Sequence, residues 1–506
     1  MKKKKVLIIG GGTAGLIIAN RLQEDFHITV VEKSKFKKYP LLYKVPALIA
    51  LLFRRKKLKY IKERKFKLSN GRIIPYWESN TYGGASVING CVHVLGSRKL
   101  WESILQKFHM TYDDLLESYK FIYSENPKTK NRINLGLAHQ NIIDESFIKV
   151  LNLFGIPKGN LNFADTEACG PILNTVKNFF RTSVLSVIKK RLFKLYLNEH
   201  VNHIIFNDAG KVTGVKTNLR KIDADYVILC GGVIGSCNIL LKEKNKNIED
   251  KNNILKNIEF GKGIQDHTNL RINILTNKKI GSFNEISGSI YLKFLLLFKH
   301  FFGITTLLRG TGATSAAHLD LDKDGIVDTR IQIVQFSENG RHGSDGNFFS
   351  STQPGFSISI TVINPKSKGE IKFDEKENLI DPKYLSNPKD FEILEKALLF
   401  CLKLLKSKPL SDHILKIEDQ NLIENNPKKY ILDNIFSGAH LSGGNQNLVG
   451  SNFEVKGAKD LYICDASIFD KYVASNMHSS VVLISDIFAR KFIVNNSVAS
   501  HDSKKK

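Results

Sequence analysis

Cysteine is scarce in this 506-residue chain, and none of it is patterned. Cys91, Cys169, Cys230, Cys237, Cys401 and Cys464 are scattered, no two stand at C-x-x-C spacing, and no histidine cluster accompanies them. This argues against a zinc module or a disulfide framework, sets the expected metal content at none, and fits a reducing compartment. Acid is also in short supply: 49 Asp and Glu face 75 Lys and Arg, a formal charge of +26. The basic excess is spread among Asn and Ile without forming a stripe, and no nucleic-acid-binding module appears, so nucleic acid is not an expected partner. The short clusters Lys2–Lys5, Arg54–Lys57 and Lys504–Lys506 read as solvated surface and frayed tails. Long apolar runs are missing as well. No uncharged stretch approaches the ~20 residues that span a bilayer, and the lysine-rich N terminus lacks the pattern of a secretion signal. The expected location is cytoplasmic. Two stretches combine apolar and basic residues in a way that suits peripheral membrane contact. They are Val45–Phe53, followed by RRKK, and Ile290–Leu308, interrupted by Lys293, Lys299 and His300.

What is present is ordinary globular material, 42% hydrophobic and 25% charged, long enough for two or three domains. Val6–Ile9 reads as a buried strand, Gly10–Gly15 as a turn, Leu16–Leu22 as a helix and Ile28–Val31 as a second strand closed by Glu32. Asn70-Gly71 marks a hairpin turn. Tyr112–Ile122 has helical spacing, with Thr111 and Asp113–Asp114 at its start. His200–Phe206 and Lys211–Lys216 flank a second hairpin signal, and Tyr226–Leu229 is an apolar strand running into Gly231-Gly232. Thr329–Phe336, Phe356–Ile363 and Gly369–Phe373 alternate like an antiparallel sheet. Phe391–Lys408 is helical, Leu461–Ile463 a last strand and Ser479–Phe488 a last helix. Parallel-type elements at the start, middle and end enclose antiparallel material, which implies one domain assembled from separated segments with a second inserted.

Gly10-Gly11-Gly12-Thr13-Ala14-Gly15 satisfies G-x-G-x-x-G between a strand and a helix. Gly10 permits the tight turn, Gly12 the approach of a pyrophosphate, and Gly15 close helix–strand packing; the helix N terminus supplies amide donors around Thr13 and Ala14. Glu32 then stands where a carboxylate meets ribose hydroxyls. Gly83–Gly90 (GGASVING) can bring backbone amides to phosphate or flavin, with Asn89 as an anchor, or can be a structural loop. Gly231–Ser236 is a second strand-to-helix turn, equally open between structure and function. His440 lies among Gly and Ser in SGAHLSGGN, and Asp465-Ala466-Ser467 and Ser475-Asn476-Met477-His478 follow it. Such a histidine suits loop chemistry, although a histidine without a catalytic role is the commoner case.

Over nearly its whole length the chain resembles the glucose–methanol–choline (GMC) oxidoreductase family. The resemblance rests on the N-terminal dinucleotide motif, Gly83–Gly96, Trp101–Tyr119, Cys230–Leu241, Gly261–His267 (GKGIQDH), Pro365–Phe373, Ile380–Asp390 and Gly457–Phe469. It implies an α/β (α+β) fold: a Rossmann-like FAD-binding domain with an inserted substrate domain built on an antiparallel sheet. The implied layout is FAD-binding segments at 1–110, 196–270 and 431–495, substrate-domain segments at 111–195 and 271–430, and a basic tail at 496–506. It implies oxidation of an alcohol to a carbonyl, with His440 as base and Asn476 as its partner, and with oxygen or a quinone-type carrier as electron acceptor. It implies FAD contacts at Gly10, Gly12, Thr13, Ala14, Gly15, Glu32, Gly84, Ser86, Asn89, Gly90, Val201, Gly231, Asp465, Ala466 and Met477. Leu441 and Gly443-Gly444-Asn445 depart from the family pattern after the base, and Met477 replaces a proline, which leaves His478 as a rival partner. No histidine precedes Asn89, so FAD is expected to be non-covalent, with His93 the one nearby candidate for a link. Two other readings are a flavin-dependent fatty-acid photodecarboxylase and a non-catalytic, membrane-associated FAD-binding protein. Thr314–Asp320 and Asp328–Gln335 lack the cysteine of the decarboxylases, and Arg330 is expected to be displaced.

Overall fold

A computed structural model describes residues 3–38, 44–49, 59–68, 71–246, 259–338, 352–372 and 379–497. Lys2, Arg54–Lys57, Lys504–Lys506, Asn70, Phe373 and part of the Val45–Phe53 stretch lie outside them. Short runs of Val, Ile and Leu buried on both faces form a five-stranded parallel sheet, as such runs do when helices cover both sides. Its spatial order is Lys194–Leu197, His27–Glu32, Lys5–Ile9, Tyr226–Leu229 and Leu461–Ile463. The chain reverses direction across the sheet between Lys5–Ile9 and Tyr226–Leu229, the crevice where open parallel sheets bind ligands. Helices Thr13–Leu22 and Met477–Asn496 pack together on this core.

A second sheet is antiparallel, in the order Ile414–Ile417, Thr268–Thr276, Gly355–Val362, Thr329–Val334, Ala313–Leu319 and Ala168–Pro171. The period-2 alternation is clean. Leu270, Ile272, Ile331, Ile333, Ile358 and Ile360 are buried in a core shared with helix Pro388–Leu405, so Asn269, Arg271, Arg330, Gln332 and Thr361 point to the opposite face. A small sheet made of Leu379–Asp381, Gly369–Lys372, Lys262–Gln265 and Ser442–Gly444 joins the two halves. Gly369 therefore belongs to this joining sheet and not to the large one.

The segment layout shifts in two places. Helix Tyr112–Ile122, expected in the inserted domain, buries Leu115 and Ile122 in the core of the parallel sheet. Its Ser118 donates to the buried Asp486 of the last helix at 2.8 Å. Thr111 caps it by accepting from the Asp114 amide. Strand Lys194–Leu197 also joins the parallel sheet, so that half resumes just before residue 196.

Candidate active site

A cavity of about 1210 Å³ lies between the crevice of the parallel sheet and the polar face of the antiparallel one. Glycine is required at its first wall. Gly10 has φ +111°, and a Cβ there would lie 2.4 Å from the Cys230 carbonyl oxygen of the neighbouring strand; a Cβ on Gly15 would lie 2.0 Å from the Gly10 oxygen. The two glycine loops touch: Gly84, at φ +59°, would place a Cβ 2.8 Å from the Gly12 Cα, and the Gly83 amide donates to Gly11 oxygen at 2.9 Å. Glu32 accepts from the Gly11 amide at 2.7 Å and the Ser34 amide at 2.8 Å while still facing the cavity. Asp465 accepts from the Gly232 amide (2.9 Å), Ser236 Oγ (2.6 Å) and the Ser467 amide (2.8 Å), tying the second strand-to-helix turn to the C-terminal segment.

Gly10, Gly12, Thr13, Ala14, Glu32, Gly84, Asn89, Gly90, Val201, Gly231, Asp465, Ala466 and Met477 all line the cavity, as do His440 and Asn476. Gly15 and Ser86 do not. Gly15 packs behind the turn, and Ser86 Oγ donates to the Gly83 oxygen at 2.6 Å, holding the second glycine loop in shape. His93 also stays off the cavity wall, packed against Tyr119 and Tyr123. The bare amides of a helix N terminus, two facing glycine loops and the Glu32 carboxylate at the end of the next strand make a cradle for an extended dinucleotide.

The other wall holds His440 and Asn476. Residues Phe436–Ser437 pair with Thr268–Asn269 in the large sheet, and Ser442–Gly444 pair with Lys262–Gln265 in the small one. Two antiparallel stretches thus cross from one sheet to the other at the same level, which sets His440 against Asp266-His267. Asp266 is the clamp. Its Oδ1 accepts from the amides of His440 (2.8 Å) and His267 (2.9 Å), and its Oδ2 accepts from the hydroxyls of Tyr384 and Ser437. Tyr472 adds a hydrogen bond to the His440 carbonyl at 2.8 Å.

His440 Nε2 lies 3.1 Å from Asn476 Nδ2, and His440 Nδ1 lies 3.0 Å from His267 Nδ1. Arg330 Nη1 donates to Asn476 Oδ1 at 2.6 Å. Because a guanidinium only donates, this bond fixes the Asn476 amide with its NH2 toward His440. The His440 Nε2 must then be the bare nitrogen, with its proton on Nδ1 donated to His267. Burial, and then the charge of Arg330, push the His440 pKa down to about 3, so the ring is neutral and Nε2 can accept a proton. His478 is separate from this pair. It faces Arg181 and His93, and its Nε2 has no hydrogen-bond partner. Asn476 is also the N-cap of helix Met477–Asn496, whose N terminus favours negative charge in the cavity.

Arg330 sits 4% exposed in the cavity wall and orients Asn476. Sequence reasoning also left out His267, Asp266 and Tyr472 as site residues, although GKGIQDH carried the first two. Among the described residues, one acidic cluster, Asp320, Asp322 and Asp328, lies outside the cavity lining.

The family model for GMC oxidoreductases matches residues 365–485. The alcohol dehydrogenase (acceptor) of Pseudomonas putida is 22% identical over 98% of this chain and 97% of its own length. The glucose dehydrogenase (FAD, quinone) of Drosophila pseudoobscura pseudoobscura is 21% identical over 95% of this chain and 85% of its own. Among solved structures, pyridoxine 4-oxidase from Mesorbium loti superposes with a TM-score of 0.77 at 16% identity, over 97% of this chain and 99% of that one, and shares the fold. Residues 365–485 thus match the GMC oxidoreductase family, and the likeness to the two dehydrogenases runs over nearly the whole chain.

Proposed function

We propose that the protein is an FAD-dependent oxidoreductase that converts an alcohol to a carbonyl compound, with His440 as the base. The observation that carries this is a neutral His440 whose bare Nε2 is held toward the amide of Asn476. The residues at Gly10–Ala14, Glu32, Gly84 and Gly231 fit FAD, because a side chain at Gly84 would press on Gly12 and the Thr13 amide, where glycine leaves the backbone open. Bound there, FAD supplies the acceptor for the hydride that leaves the alcohol carbon. His440 Nε2 takes the hydroxyl proton, and the Asn476 N–H turns from the ring to the substrate oxygen, stabilising negative charge as it develops. His267 accepts from Nδ1–H and keeps the ring in the correct tautomer. The packing of His93 away from the cavity supports non-covalent FAD.

The test is His440→Ala with FAD still bound, followed by anaerobic flavin bleaching against an alcohol panel. The expected loss in rate is roughly 10²–10⁴-fold; reduction at the wild-type rate in the variant would overturn the assignment. Reoxidation by oxygen against a soluble quinone identifies the acceptor.

Peripheral contact with an anionic membrane surface is part of the same reading. No helix among the described residues is long and apolar enough to cross a membrane. Helix Ile290–Phe301, however, exposes Ile290, Tyr291, Phe294, Phe298 and Phe301, with Phe302 after it. No acid occurs from Ile286 to Leu319, Lys293 and Lys299 are exposed, and Leu296 and Leu297 of the same helix line the cavity. An apolar face with basic flanks suits an anionic headgroup layer.

A further inference from the structure

Among the described residues Arg330 is a buried cation without a counter-ion. Among the described residues no carboxylate lies within ion-pair distance of it, whereas Arg271 on the same sheet face is paired with the buried Glu338. One donor of Arg330 goes to Asn476; its Nε, also buried, has no hydrogen-bond partner among the described residues. Leaving such a group unsatisfied is costly unless something fills the space beside it. Its neighbours on the sheet have the same character. Register places Asn269, Thr361 and Arg330 side by side on three adjacent strands, and Gln332 one step along from Arg330. Asn269 Oδ1 and Gln332 Oε1 are buried acceptors without donors, and all four residues line the cavity. The wall therefore offers one unneutralised planar fork of donors and two bare amide oxygens within about two strand spacings.

We infer that Arg330 binds a carboxylate of the substrate, and that the alcohol oxidised here is a polyhydroxy acid of the sugar-acid type. The guanidinium matches a carboxylate edge to edge. Asn269 and Gln332 accept from further hydroxyls. Because Arg330 also holds Asn476, a carboxylate on it sets the neighbouring hydroxyl-bearing carbon beside His440. The inference rests on the alcohol-oxidation reading for its chemistry, but not for the anion site.

Two measurements on the FAD-loaded protein separate these. The first titrates the oxidised holoenzyme with acetate and with acetamide, which match in shape and differ in charge, following the visible flavin spectrum. Acetate is expected to bind wild type about ten- to a hundredfold tighter than acetamide. Arg330→Gln abolishes that preference, and Arg330→Lys keeps only part of it. Equal binding of the two probes by wild type overturns the anion site, as does an undiminished preference in Arg330→Gln. If Arg330→Gln does not retain FAD, wild type and Arg330→Lys decide. The second measures anaerobic flavin reduction by D-gluconate and by D-glucitol, its neutral counterpart. Faster reduction by gluconate, lost in Arg330→Lys, is expected. Equal rates overturn the substrate class and leave alcohol oxidation standing. If no member of a broad alcohol panel reduces the flavin while acetate is still preferred, alcohol oxidation fails and the substrate class fails with it.

Discussion

Removing Arg330 should move the acid limit of the reaction. As the proposed base, His440 works only when Nε2 is unprotonated, so activity is expected to fall as pH drops through its pKa. Burial is the larger cause of its depression to about 3, and the Arg330 charge is the second. Arg330→Gln removes only the second. The two charges are linked through Asn476 by contacts of 2.6 and 3.1 Å, which puts them no more than ~8 Å apart. At an effective dielectric of ~20 that separation is worth ~2 kcal/mol, or about 1.5 pKa units. Anaerobic flavin reduction followed from pH 4 to 9 should be level to the acid end of that range in wild type. In Arg330→Gln the acid limb should rise by about 1.5 units, still short of a free imidazole because burial remains. A wild-type limb near 6.5, or a limb that stays put in the variant, refutes the electrostatic argument.

Gly84→Ala puts a Cβ 2.8 Å from Gly12 at a left-handed φ of +59°, so FAD content of the purified protein should drop several-fold, with a lesser fall in melting temperature. Full occupancy would show that the loops separate freely. Replacing Phe294 and Phe298 together by Ser should abolish co-sedimentation with vesicles containing anionic lipid and leave reduction by a water-soluble alcohol unchanged. Equal pelleting of variant and wild type rules out that helix as the contact.

The nucleotide half of the fold was legible because its requirements are local. Gly10, Gly12 and Gly15 fall within six residues, between a buried strand and a helix, and Glu32 ends the next strand. The reactive half is built from distant stretches. His440 and Asn476 stood out through family resemblance, but the contacts that define their protonation come from His267 and Arg330, 173 and 146 residues away. One signal for Arg330 was available. In TRIQIV the isoleucines Ile331 and Ile333 alternate with Arg330 and Gln332, and once the isoleucines are assigned to the core, a cation and an amide must share the other face. What periodicity does not say is that this face closes a cavity. That depends on strand register and on the small sheet joining the two halves. The place of helix Tyr112–Ile122 was missed for a related reason: its apolar stripe fits either core, and the buried Asp486 that receives Ser118 lies 368 residues away.

Asp266 makes the register argument testable, since it holds His440 without touching the cavity wall. In Asp266→Asn the amide oxygen can still accept from the His267 and His440 amides, and its NH2 faces the Ser437 and Tyr384 hydroxyls, which can turn to accept; the expected cost is about 1 kcal/mol near neutral pH. Asp266→Leu keeps the volume and strands all four donors, with a cost on the order of 4 kcal/mol. It also releases a loop in which Ala439, a non-glycine residue, sits at φ +58°. The pH trend has a definite sign. Burial outweighs the four hydrogen bonds and raises the Asp266 pKa to about 6, so its favourable contribution is complete below the unfolded value near 3.8 and is lost as pH rises through 6. The stability deficit of Asp266→Asn, measured by urea unfolding, should accordingly be larger at pH 4.5 than at pH 7.5. A deficit that grows with pH would mean the carboxylate is held ionised. A Leu variant no less stable than the Asn variant would mean the crossing of the two sheets holds His440 without the clamp.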